Sequence, residues 1–181
     1  ARLFQECFGT VAAVAVPTTF AWNPAVEHGW AAAGIRAVVT PGRHYRHRRQ
    51  FDDPGSAPMI TNGMRSENVT YVVRDQYFEP FKGHSADDGL RALAANTVLG
   101  RPTLLETHRA NFLEPTMRER SMVAIRELLT RALETYPSLR FLSTVELVDA
   151  MGAEPPDLID RSLRGRLAAW PCSDVYARPV P

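Results

Sequence analysis

With 181 residues, 45% of them hydrophobic, the chain is long enough for one domain with its own core and too apolar for a disordered polypeptide. Its formal net charge of +1 argues against nucleic acid or an anionic membrane surface as the main partner, since both call for a strongly basic face. No uninterrupted apolar run approaches the ~20 residues of a membrane span, so none is expected.

The two cysteines, Cys7 and Cys172, stand far apart without metal-like spacing. Buried free thiols in a cytoplasmic protein are the expectation, with a single terminal-to-terminal disulfide as the alternative. Lys82 is the only lysine among 21 basic residues, which reads as the codon bias of a GC-rich bacterial genome. "ARLFQECFG" reads as the tail of a helix stopped by Gly9, and so as the middle of a longer protein.

From Gly9 onward, apolar runs of strand length alternate with segments of helical period, the pattern of βαβ units and a parallel sheet. A first strand is predicted over 10–20. Asn23 then caps a helix with Pro24 at its first position, and Val26, Trp30 and Ala33 form its buried stripe. A second strand follows at 35–42. Residues 43–68, with a basic stretch and scattered Gly and Pro, are predicted to be an excursion loop with a hairpin. "VTYVVRDQYFEP", 69–80, is the third strand.

Ser85 with Asp88 makes a capping box for a helix reaching Gly100. "PTLLETH", 102–108, is the fourth strand, and Thr116 with Glu119 is predicted to cap the longest helix. There Met122, Ile125, Leu129, Ala132, Leu133 and Tyr136 form the apolar stripe. A fifth strand is predicted at 139–144, and Ser143 with Glu146 caps a last helix over 145–151. Residues 153–181 form a Pro- and Arg-rich tail with one helical turn around 157–170.

In parallel α/β folds, strand ends and the loops after them build the site. Polar or aromatic residues at those places are Thr18, Thr19, Trp22 and Asn23 after the first strand, Arg74, Asp75 and Glu79 at the third, and Glu106, His108, Arg109 and Asn111 at the fourth. His108 is the sharpest candidate, because imidazole exchanges a proton near neutral pH or ligates a metal. Glu106 shares its strand face and is placed to hold its tautomer. Trp22 and Asn23 suit a sugar ring, the indole by stacking and the amide by bonding a hydroxyl; a cap and a packing tryptophan are the plainer alternative. Arg74 and Asp75 read either as an ion pair between strands or as catalytic groups. "RHYRHRR", 43–49, reads as a solvated loop or a grip on an anionic substrate rather than as a metal site.

"VAVPTTFAWNPAVEHGWAAAGIRAVV" and "PTLLETHRANF", followed by a long helix and "FLSTVEL", resemble the C-terminal half of the polysaccharide deacetylase (NodB homology) family, in a divergent bacterial branch. The resemblance covers residues 1–152. It implies a distorted parallel (β/α) barrel of which this chain is the C-terminal part, and removal of acetyl groups from a sugar by a metal-activated water. His108 would then protonate the leaving group, Glu106, Arg74 and Asp75 would complete the catalytic set, and Trp22, Asn23, Arg109 and Asn111 would bind the carbohydrate.

The aspartate pair and the His-x-x-x-His pair that supply base and metal ligands in deacetylating members do not occur in the sequence, and "FDD" at 51–53 falls at the wrong place in the order. A divalent, zinc-like ion is therefore expected only if an N-terminal remainder of the same protein supplies its ligands. The alternative is a catalytically inactive barrel that binds carbohydrate or acts as a scaffold.

Overall fold

The computed structural model describes residues 2–74, 76–153 and 155, so the expectations for Asp75, Cys172 and the tail beyond 155 lie outside the described residues. The chain divides into two units. One takes in the described residues up to Val73 and those from Leu142; the other is Arg74–Phe141.

In the first unit, α1 (Arg2–Phe8) stops at Gly9, whose φ of +68° is the left-handed conformation that glycine adopts without a Cβ clash. Cys7 on this helix is an exposed free thiol, not the buried one expected. Strand β1 (Val14–Ala15) pairs in parallel with β2 (Ala37–Thr40), and α2 (Pro24–Ala32) makes the crossover of a βαβ unit. The Asn23 side chain caps α2 by accepting from the Val26 N–H at 3.1 Å, with Pro24 where a missing N–H costs nothing.

Strand β2 pairs in parallel with β4 (Val69–Val73), and β3 (Arg65–Ser66) folds back antiparallel on β4, giving the order β1-β2-β4-β3. All five residues of β4 are buried, as in a parallel strand covered on both faces. Trp22, Ile35, Val38, Ile60, Val69, Tyr71 and Val73 form the core, and α6 (Thr144–Ala153) packs on β2 and β4.

The excursion loop holds two 3-10 turns, Arg48–Phe51 and Pro54–Ser56, ahead of the β3–β4 hairpin. Three strand expectations are corrected, two of them here. The segment predicted as 10–20 pairs only at Val14–Ala15, because Thr18–Phe20 closes into a 3-10 turn. Residues 139–143 make no ladder; Leu142 and Ser143 lead straight into α6, whose capping box joins the Ser143 N–H to Glu146 at 2.7 Å and the Glu146 N–H to Ser143 Oγ at 3.3 Å.

The second unit is built on β5 (Gln76–Tyr77) and β6 (Leu105–Glu106), which pair in parallel across α3 (Ala86–Val98). The strand predicted as 69–80 is thus split: it leaves the first sheet after Val73 and pairs again in a separate sheet at Gln76. After β6 come a short α4 (Ala110–Leu113) and the long α5 (Pro115–Thr135).

The cap of α5 is Glu114, which accepts from the Met117 N–H at 2.7 Å with Pro115 at the first helical position, and not the predicted Thr116 and Glu119. Of the predicted stripe, Ala132 is buried and Ile125 packs against the core, while Met122, Leu129 and Leu133 are exposed and Ser121 and Leu128 are buried instead. The cause is Gly89 of α3. With no Cβ there, Leu128 fits so close that its Cδ2 lies 2.6 Å from where a Cβ would stand, and it joins Phe78 and Ala86 in the core of this unit. Among the described residues the strands close no barrel, and no helix is long and apolar enough to cross a membrane.

Candidate functional site

The second unit brings a histidine and two carboxylates together through its strand register. Tyr77 of β5 lies opposite Glu106 of β6, so Glu79 and His108, each two residues further on, leave the two strands side by side. The Phe78 N–H donates to the Glu106 carbonyl at 2.7 Å and extends the pairing to that point. Glu79 then opens the 3-10 turn Pro80–Lys82, which ends at Gly83 with φ +96°. The turn points the Glu79 side chain inward, where it is 1% exposed.

Every oxygen of Glu79 has a donor. Its Oε1 accepts from His108 Nδ1 at 2.5 Å and from the His108 backbone N–H at 3.1 Å, and its Oε2 accepts from the Asn111 amide at 2.6 Å. The first turn of α4 places Asn111 three residues after His108, where its amide also reaches Thr107 Oγ1 and the His108 carbonyl, and its Oδ1 accepts from the Phe81 N–H. The Glu79 backbone N–H in turn donates to His84 Nδ1 at 3.1 Å. Burial alone would push the Glu79 carboxyl up, but the hydrogen bonds from His108 and Asn111 hold it below the usual carboxylate range.

A carboxylate so held accepts only, so His108 presents Nδ1 as the donor, and in the neutral ring its other nitrogen, Nε2, carries the lone pair. The imidazole is about half exposed, and Nε2 lies 3.4 Å from Glu106 Oε1. Glu106 is itself ion-paired with Arg74, both side chains being mostly buried. The Tyr77 ring lies nearly parallel to the imidazole, 12° off with centroids 6.2 Å apart, and the Arg74 guanidinium sits 6.0 Å from the centre of the same ring. The result is a small cluster in which a buried acid fixes the ring and a second acid, already neutralised by arginine, flanks its outer nitrogen.

Of the predicted site residues, the structure brings His108, Glu106, Arg74 and Asn111 together in this cluster. Their roles differ from the expected ones. Glu79, not Glu106, orients the imidazole, and Arg74 pairs with Glu106. Asn111 is fully buried and holds Glu79, so its amide has no open face for a sugar hydroxyl. Arg109 is exposed at the start of α4.

Trp22 and Asn23 belong to the other unit and act there as anchors. The Trp22 indole N–H donates to Glu27 at 2.7 Å, and Asn23 caps α2. Glu27 is the buried residue of α2, while of the predicted stripe Val26 is exposed and Trp30 and Ala33 are only partly buried; the sequence pattern assigns Glu27 no part. It also accepts from the Tyr71 hydroxyl at 2.5 Å and the Ser66 hydroxyl at 2.8 Å, and His44, stacked on Trp22 at 4.4 Å, comes within 3.7 Å. Burial pushes the Glu27 carboxyl up, and the hydrogen bonds from Tyr71, Trp22 and Ser66 outweigh it and leave it lowered. Burial, reinforced by Glu27, drives the Tyr71 phenol far above its ordinary value.

Among the described residues no group of three or more His, Cys, Asp or Glu side chains could hold a metal ion. In the His108 cluster the reason is visible: Glu79 is satisfied by His108 and Asn111, and Glu106 by Arg74. These residues supply no ligand set of their own, and the zinc-like ion is expected only with ligands from an N-terminal remainder of the protein. No protein-family model, curated protein or solved structure matches the chain.

Proposed function

We propose that this chain carries the proton-transfer part of a carbohydrate-active hydrolase of the polysaccharide deacetylase kind, removing acyl groups from a sugar, with His108 as the group that moves the proton. The observation that carries the reading is the buried Glu79 carboxylate on His108 Nδ1, which leaves Nε2 as the outer nitrogen of a half-exposed imidazole. Such a ring takes a proton from an attacking water or returns one to a leaving amine or alkoxide, and the developing imidazolium is stabilised by the carboxylate behind it.

Arg74 holds Glu106 in place by an ion pair, so that Glu106 supports the charge that gathers on Nε2. Arg109, exposed one residue after His108, is the group this reading assigns to the substrate. The carbohydrate and the acyl group come from the resemblance of "PTLLETHRANF" to a late strand of that family, and with it the (β/α) barrel, of which the parallel pairs β1–β2–β4 and β5–β6 would form part.

The test is acetate release from acetylated chito- and xylo-oligosaccharides by the purified chain and by His108→Gln, which keeps the size of the side chain. The reading expects turnover in the first and a fall of about 100-fold or more in the second. Equal turnover by both, at equal thermal stability, would remove His108 from the chemistry.

A further inference from the structure

The first unit holds a surface cavity of about 450 Å³ lined by Thr19, Arg48, Arg49, Phe51 and Asp52, a volume in the range of small-ligand sites. It is assembled by the chain itself. The Trp22 N–H donates to the Tyr45 carbonyl at 2.9 Å and Ala21 bridges Tyr45, which pins the segment after β1 beside the basic stretch. The 3-10 turn Arg48–Phe51 then presents both arginines to the cavity, and Gln50 fixes the turn by accepting from the Arg46 N–H at 2.7 Å.

Three features in and beside the lining point to a ligand. Arg48 and Arg49 are adjacent like charges, and neither forms an ion pair with an acid among the described residues. Two guanidiniums around one concavity repel each other unless an anion lies between them. Thr19 and Phe20 both hold φ at 56°, a conformation disfavoured for β-branched and aromatic residues, and strain of this kind gathers where a ligand is clamped. Phe51 is stacked on Tyr45 at 4.2 Å and 21°, which holds its ring rigidly, yet it stays 38% exposed.

We propose that this cavity binds a sugar ring bearing one anionic group, with Arg48 and Arg49 on the anion, Phe51 against the ring, and Thr19 and Asp52 on its hydroxyls. Guanidinium forks match carboxylate and phosphate geometry, an aromatic face suits the apolar face of a sugar, and a carboxylate beside a hydroxyl is a pair for sugar OH groups rather than for the anion. The sugar half of this inference rests on the function proposed above; the anionic half stands on the two arginines alone.

The test is calorimetric titration of the full chain with a glucuronate-containing tetrasaccharide, glucose 6-phosphate, the neutral tetrasaccharide and inorganic phosphate. The proposal expects binding of the two acidic sugars, weakened about tenfold or more by Arg48→Ala and again by Arg49→Ala, weakened by salt, and unchanged in His108→Gln. The relative strength of the two acidic probes tells a carboxylate site from a phosphate site. No binding of either acidic sugar, or equal binding of the neutral one, overturns the anion site. Inorganic phosphate binding as tightly as the sugars overturns the sugar half. Because His108→Gln reports on the other unit, loss of acetate release there leaves this result standing, and the converse holds too.

Discussion

Replacing Glu79 by Gln removes one charge and one acceptor from a buried site while keeping its shape. Three donors meet the native carboxylate: His108 Nδ1, the His108 backbone N–H and the Asn111 amide. A Gln side chain offers one oxygen and one NH2. If the oxygen faces His108, the NH2 opposes the Asn111 amide, donor against donor; if it faces Asn111, the His108 N–H loses its acceptor and the imidazole must turn over to the Nε2–H tautomer. Either way one buried donor is orphaned, at a cost of about 1–3 kcal/mol.

For a protein of this size, that lowers the melting temperature by roughly 3–10 °C. Turnover falls further than stability does, because a neutral partner fixes the wrong tautomer and cannot stabilise the imidazolium; an orienting carboxylate of this kind contributes about 10⁴ in rate. The assay is kcat/KM for acetate release beside a thermal melt, both in Glu79→Gln. A variant that melts lower but turns over within about threefold of the parent would refute the assignment of Glu79 as the residue that orients His108.

Ser121 Oγ is buried without a hydrogen-bond partner among the described residues. Ser121→Ala removes that unmet group and adds helix propensity, so it is expected to raise stability by about 1 kcal/mol, read as a melting point a few degrees higher; a lower one would show that the hydroxyl is bonded. Acid lability is the third expectation. Glu27 and Glu79 are both held below their ordinary value of 4.5, so their stabilisation is present above it and is lost as pH falls from there towards the depressed native values. Melting points taken from roughly pH 6 to pH 3 should fall in the lower part of that range, and less steeply in Glu79→Gln; a flat profile would contradict both assignments.

How far the sequence shows the site follows from which forces act within one element. "LLETHRANF" exposes Glu106 and His108 as polar groups at a strand end, because the alternation that signals a strand breaks there. Glu79 stands at the end of the preceding strand and is equally visible. What joins it to His108 is the pairing of Tyr77 with Glu106, a register between segments about thirty residues apart that no local pattern encodes.

Asn111 looks like a ligand group because an amide after a strand end is usually exposed, and α4 buries it instead. Glu27 is the most hidden. Its signal is an acid on the helix face that also carries Trp30, three residues on, a position where burial demands donors from elsewhere. The stripe of α5 shows the same limit: the periodicity is helical and marks Ile125 and Ala132, but Gly89 on another helix makes the room that buries Leu128 while Leu129 stays exposed.

The most direct measurement is the ring nitrogen-15 spectrum of His108 in the full chain, assigned by comparison with His108→Gln. At a pH where the imidazole is neutral, the structure requires a proton on Nδ1, bonded to Glu79, and a bare lone pair on Nε2. A ring protonated at Nε2 instead would leave the lone pair on Nδ1, 2.5 Å from Glu79 Oε1, contradict the Glu79–His108 pair, and with it remove the basis for proton transfer at this site.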